Sequence, residues 1–257
     1  MPVNLSIPTL GNKFQDYRDP IPGDSYNWGV VIDATKVDAF AFHHSVTVQT
    51  AKNDGNWKAE CDKIANLHIN NNGWGGVGYR FIIASDGTVA YVGDLSHGGS
   101  AILNNNDHVF SACLVGDFTK ELPTAAQVHS AHLLAKHFLD NMPQYPLLDS
   151  WDDIKGHKDF MATACPGSNW RTAGDSLRDR IINDRFDGYP NPQPIIAVPP
   201  TVDPILALKK ELEEAKNKIS TLEKQALDKS NALKSLVQQA NSKLSELVEI
   251  VKKIEQL

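Results

Sequence analysis

Cysteine is scarce in this chain of 257 residues, with three copies at Cys61, Cys113 and Cys165. An odd, widely spaced trio gives no disulfide framework. A reducing compartment is expected, with a thiol left over for a metal. No run of about 18 apolar residues occurs, so no membrane insertion is expected. The first residues, Met1-Pro2-Val3-Asn4-Leu5-Ser6, lack a basic stretch followed by an apolar one. A soluble chain without a signal peptide is the expectation. Excess positive charge is also missing, since the net charge is −6. From residue 204 onward ten Lys face eight Asp and Glu (+2), and elsewhere fifteen Lys and Arg face twenty-three acids (−8). Nothing in this balance favours a nucleic-acid partner, and none is expected; nor is there a strong basic patch for an anionic envelope.

The hydrophobic content of 41% is enough for a real core. Residues 1–30 are rich in Pro, Gly, Asn and Asp and read as an irregular N-terminal extension. An apolar run from Ala39 to Phe42 ends at His43-His44 and suits a buried strand. Residues 57–69 have helical spacing (Trp57, Cys61, Ile64, Ala65, Leu67). Residues 78–83 and 89–92 read as two strands joined by an Asp86-Gly87 hairpin turn. Residues 111–116 form another short strand. Thr124 and Gln127 make a capping box that opens a helix to about residue 141. Residues 175–186 form a further amphipathic helix. Interspersed strands and helices argue for a mixed α/β domain over 31–186, a central sheet flanked by helices.

Six prolines fall between residues 189 and 204, so 187–204 is expected to be a stiff, extended linker. Glycine, proline and aromatics are all absent from 205–257. With a at 205 and d at 208, fourteen of the sixteen a and d positions to residue 257 are apolar. Lys229 and Lys243 are the two exceptions. A 3.5-residue period kept this long points to a coiled coil that joins two to four copies of the chain. A turn near Asp228-Lys229-Ser230-Asn231, giving a helical hairpin, is the alternative.

The chemistry concentrates in two places. Gly156-His157-Lys158-Asp159 is followed by Cys165-Pro166-Gly167, which puts an imidazole and a thiol eight residues apart. Far upstream lies His43-His44. Neighbours on a strand point to opposite faces, so only one of that pair can join the site. Two imidazoles and one thiolate make a three-ligand zinc set with an open fourth position, the pattern of a catalytic rather than a structural metal. Cys61 and Cys113 read as core. His68 reads as buried structure, and His129, His132 and His137 as a solvated helix face.

Six motifs then come in a fixed order. They are His43-His44-Ser45-x-Thr47, the run from Gly73 through Tyr79 to Ile83, Asp86-Gly87-Thr88-Val89, Cys113 to Phe118, Gly156 to Asp159, and Cys165-Pro166-Gly167. The series resembles the zinc-dependent N-acetylmuramoyl-L-alanine amidases of type 2, over about 150 residues from 33 to 186. That family includes phage endolysins and shares its fold with peptidoglycan recognition proteins.

The resemblance implies Zn²⁺ held by His43, His157 and Cys165, with His44 turned away. It implies Tyr79 as the active-site tyrosine, donating to the oxyanion. Thr163 falls where some phage enzymes carry a lysine, so its contribution is a hydrogen bond and not a charge. His97 falls where the family has substrate-groove residues; Trp74, which can stack on sugar or pack beneath the groove, and Asn106, in a loop of three asparagines, are the other candidate substrate contacts. The implied substrate is bacterial peptidoglycan, cut at the muramoyl–alanine amide by zinc-activated water. A phage lysis enzyme held in the host cytoplasm, then released to the cell wall or periplasm, is the expected setting. A muropeptide-binding module without turnover, or a virion-associated structural protein, is the alternative.

Overall fold

A computed structural model of the chain describes residues 2–46, 56–172, 175–185, 187, 234–248 and 252. Two compact units divide it, Met1–Ile196 and Ala197–Leu257. In the first, six strands form one sheet in the order β1-β5-β4-β7-β3-β8. These strands are β1 (Phe14–Asp16), β3 (Ala39–His44), β4 (Phe81–Ile83), β5 (Val89–Tyr91), β7 (Val109–Leu114) and β8 (Ile154–Gly156). The β4–β5 hairpin is antiparallel, and every other pairing in the sheet is parallel. A separate antiparallel ribbon joins β2 (Val30–Val31) to β6 (His97–Gly98).

Strand β3 explains how the sheet is layered. All six of its residues are buried between β7 and β8. Its bulky side chains, Phe40 and Phe42, point to one face. There they join Phe81, Phe110 and Phe138 in the main core. Burying each of these five rings contributes roughly 1.5–3 kcal/mol. Its alternate residues, Ala39 and Ala41, are small and point to the other face. His43 follows them in the period-two pattern, so it emerges on the uncrowded side.

Helix α2 (Ala125–Asn141) covers the phenylalanine face. Its capping box is present, with the Gln127 N–H donating to Thr124 Oγ1 at 3.1 Å and the Thr124 N–H donating to Gln127 Oε1 at 3.0 Å. The Gln127 amide then donates to the carbonyls of Ile83 and Val115, tying the helix start to the sheet. Helix α1 (Trp57–Asn66) packs on the opposite face through Cys61, Ile64 and Ala65 against Ile82, Ala90 and Cys113. Cys61 and Cys113 are core residues, as expected.

Two expectations need correcting. Residues 1–30 are not an irregular appendage. Ile7 and Leu10 enter the main core, and β1 pairs with β5 as the edge of the sheet. The Arg18 guanidinium, over the Tyr91 ring at 4.2 Å, bonds the buried Asp94 carboxylate, which also accepts from the Val3 N–H. The helix expected over 175–186 is shorter. Helix α3 spans Leu177–Ile182, capped by the Ser176 side chain, and Asp184 leaves it with a positive φ of 49°.

In the second unit, residues 234–248 are helical, with Leu236, Val237, Leu244, Leu247 and Val248 exposed. Most of the 205–257 heptad pattern and the proline-rich 188–204 stretch lie outside the described residues. Among the described residues no helix is long and apolar enough to cross a membrane.

Candidate metal centre

Three chain segments meet at one end of the sheet. His43 comes from the C-terminal end of β3. His157 comes from the 3-10 turn that follows β8, and Cys165 from the loop after it. One ligand atom from each lies within 4.8 Å of the other two. The His43 and His157 ring centres are 4.6 Å apart. A sulfur and an imidazole nitrogen bound to one tetrahedral zinc at about 2.3 and 2.0 Å lie about 3.5 Å apart. Cys165 Sγ and His43 Nδ1 stand 3.6 Å apart. The separation fits two ligands of a shared ion.

The loop holding these residues is heavily cross-braced. The Asp159 carboxylate accepts from the Gly156 N–H and from Trp170 Nε1, both at 2.8 Å. It also accepts from Arg171 Nε and Nη2 at 2.6 and 3.0 Å. Burial alone would raise its pKa, but these donors outweigh it and hold the carboxyl below its ordinary value. Lys158 donates its backbone N–H to the Cys165 carbonyl and its Nζ to the Gly167 carbonyl. The Thr163 hydroxyl oxygen accepts from the Cys165 N–H at 3.2 Å.

His44 faces the other way, as the alternation requires. Its Nδ1 accepts from the Phe118 N–H at 3.0 Å, and its own backbone N–H donates to Cys165 Sγ at 3.4 Å. Burial, reinforced by the other imidazoles, keeps the His43 pKa well below 6.5, and burial lowers that of His157. Both rings are therefore neutral near pH 7, as metal ligands must be. Burial pushes the Cys165 thiol up to about 12 against the opposing pull of the His44 N–H and Lys158. A nearby dication would reverse that balance and hold the thiolate. Two neutral imidazoles and a thiol that needs a cation to ionise are a donor set suited to zinc.

The trio lines a pocket of about 270 Å³. Tyr79, His68, Trp74 and Thr163 also line it. Burial raises the Tyr79 pKa well above 10, so the phenol is a neutral donor. The Tyr79 ring lies 5.1 Å from that of His43.

Residues 33–168 match the Amidase_2 family, described as N-acetylmuramoyl-L-alanine amidase. The chain belongs to this family. Among curated relatives, the N-acetylmuramoyl-L-alanine amidase of Sus scrofa is 31% identical over 114 residues, which is 42% of this chain and 18% of that protein. The Homo sapiens protein of the same name is 33% identical over the same shares. The chain thus spans about a fifth of the length of these relatives. Among solved structures, bumblebee PGRP-SA superimposes with a TM-score of 0.50 at 21% identity, covering 66% of this chain and 93% of that one. It shares the fold.

Not every residue expected at an Amidase_2 site lies in the pocket. His97 pairs with Val31 in the β2–β6 ribbon, and its Nδ1 is 3.0 Å from Ser96 Oγ. Asn106 Oδ1 accepts from the N–H groups of Ala101 and Ile102, closing its own loop. Neither lines the pocket. Trp74 does, and Trp28 from the N-terminal segment stacks on it with ring centres 5.9 Å apart. His68 is buried as expected, with Nδ1 accepting from the Gly78 N–H at 3.1 Å, but it is also a pocket wall.

The helix histidines do not cluster on a metal. His129 meets Asp184, and His132 bonds the Ile181 carbonyl while stacking on Trp151, so His132 packs against structure and not solvent. Sequence reasoning missed the bracing by Asp159, the Trp28 stack and the Met161 thioether, which is 3.0 Å from His157 Nε2. The Gly-His-x-Asp spacing was the one available signal for the first.

Proposed function

We propose that this protein is a peptidoglycan hydrolase that cleaves the amide between N-acetylmuramic acid and L-alanine with Zn²⁺ at His43, His157 and Cys165. The observation that carries this reading is the convergence of those three ligand atoms within 4.8 Å on the wall of an open pocket. A zinc ion held there would polarise the scissile carbonyl and bring the pKa of a water nucleophile toward 7. The chain's own residues supply the rest. The two neutral imidazoles and Cys165 form the cradle. The Tyr79 hydroxyl, kept protonated by burial, donates to the oxyanion that develops on the amide oxygen. The Thr163 hydroxyl accepts from the Cys165 N–H and keeps its own proton for the substrate. Trp74 and His68 form the wall on which the glycan or stem peptide rests.

The reading includes a phage lysis role, and oligomerisation through 205–257, the latter supported by the heptads. Joining several heads would raise avidity for a polymeric wall. Solution mass before and after removal of 205–257 tests the second point, and a monomer in both cases refutes it. The central test is digestion of purified peptidoglycan by wild type and Cys165→Ser, with and without chelator. New L-alanine N-termini are expected from untreated wild type alone. Binding without new N-termini would favour a muropeptide-binding module. Activity that ignores the chelator and survives the substitution would sink the zinc reading.

A further inference from the structure

We infer that the Met161 thioether is a positioning residue, accepting a hydrogen bond from Nε2–H of His157 and so presenting Nδ1 of that ring to the metal. Met161 Sδ lies 3.0 Å from His157 Nε2, within reach of an N–H···S bond. Met161 sits one helical turn past His157, just beyond the 3-10 segment, with its own N–H donating to the His157 carbonyl at 3.4 Å. An imidazole that binds a metal through one nitrogen is oriented by what its other nitrogen donates to. That acceptor is ordinarily a carboxylate, a backbone carbonyl or water.

The other ligand ring shows what lacking one looks like. Nε2 of His43 is buried and has no hydrogen-bond partner among the described residues. Its orientation is fixed instead by full enclosure in β3. His157 is only partly enclosed on its turn, so packing holds it less firmly. A directional contact therefore matters more there, and Met161 provides it. Met161 is 42% exposed, so its side chain is not committed to the core and is free to serve the ring.

The inference rests on the metal reading above, but its first test does not need the metal. In zinc-free full-length protein, long-range ¹H–¹⁵N spectra of the histidine rings report the His157 tautomer. Wild type is expected to carry its proton on Nε2. Met161→Leu, which keeps the bulk and removes the acceptor, is expected to give a mixture of tautomers. Met161→Gln, which restores an acceptor, is expected to return the ring to Nε2–H.

The second test is zinc affinity by competition with a chromophoric chelator. Met161→Leu is expected to bind about tenfold more weakly, the lower end for loss of such a partner, because a thioether is a weak acceptor. Met161→Gln should bind nearly as wild type does. Unchanged thermal midpoints of the zinc-free variants would show that the fold is intact. Three results would overturn the inference: an Nδ1–H ring in wild type, zinc affinity in Met161→Leu equal to wild type, or Met161→Gln as weak as Met161→Leu. Wild type that binds no zinc at all would sink the metal reading, and the tautomer spectrum would still decide the role of Met161.

Discussion

Asp159→Asn should loosen the turn that carries His157 without emptying the core. The carboxylate takes four hydrogen bonds, from Gly156, Trp170 and twice from Arg171. An asparagine keeps one oxygen and turns the other into a donor. The less damaging orientation keeps the oxygen toward Gly156 N–H and Trp170 Nε1 and points the amide nitrogen at Arg171 Nε, donor against donor. Two charge-assisted bonds are then lost or weakened, nominally about 1.5–3 kcal/mol each. Arg171 is 47% exposed, so water takes over part of that interaction. The net loss works out at about 2 kcal/mol after screening. For a unit of this size that lowers the midpoint by about 4–8 °C.

The measurement is thermal and urea unfolding of zinc-free full-length protein at pH 7. The pH dependence gives an independent check. The Asp159 pKa is depressed in the folded state below the ordinary carboxylate value of 3.8. Its stabilisation is therefore fully present above about pH 4 and is lost as pH falls through the folded value. The gap between wild type and Asp159→Asn should shrink in that acid range. A midpoint shift under about 1 °C at pH 7 would refute the bracing argument.

Tyr79→Phe should lower turnover by about 10²–10³ through loss of one oxyanion donor, with zinc affinity unchanged. A parallel fall in zinc binding would show instead that Tyr79 holds the site together. His68 gives a pH signature in stability. Burial lowers its pKa from 6.5 to about 4, so the folded state resists protonation. Wild type should therefore lose stability relative to His68→Gln as pH falls from 6.5 toward 4, by about 2 kcal/mol once partial exposure is allowed for. Parallel curves in urea titrations across that range would count against the assignment.

Much of the site was legible because its signals are local and chemical. The period-two alternation in Ala39-Phe40-Ala41-Phe42-His43-His44 separates a bulky face from a small one, and the histidine on the small face is the one that meets Cys165. The Asp86-Gly87 turn and the Thr124–Gln127 capping box likewise carry their geometry in a few adjacent residues. What stayed hidden depends on distant partners. A three-residue strand such as β1 has too few positions to show a period, and its surroundings of Pro, Gly and Asp read as loop. Asn106 looked available for substrate, yet its amide oxygen is consumed by two N–H groups of its own loop. The thioether beside His157 is invisible in sequence, since Met161 carries no polar signal.

The short N-terminal strand also bears on solubility. Its pairing, Phe14 to Val89, Gln15 to Ala90 and Asp16 to Tyr91, occupies the outer backbone groups of β5. The sheet then ends on three residues whose last side chain is an exposed carboxylate. Short, charged edges of this kind discourage chain-to-chain strand addition. A chain trimmed to the matched 33–168 span would keep His43, His157 and Cys165 and still lose this guard. The bare β5 edge, flanked by Val89 and Tyr91, would then be a template for aggregation. The segment that the family match leaves out thus closes a sheet edge that the matched part alone would expose.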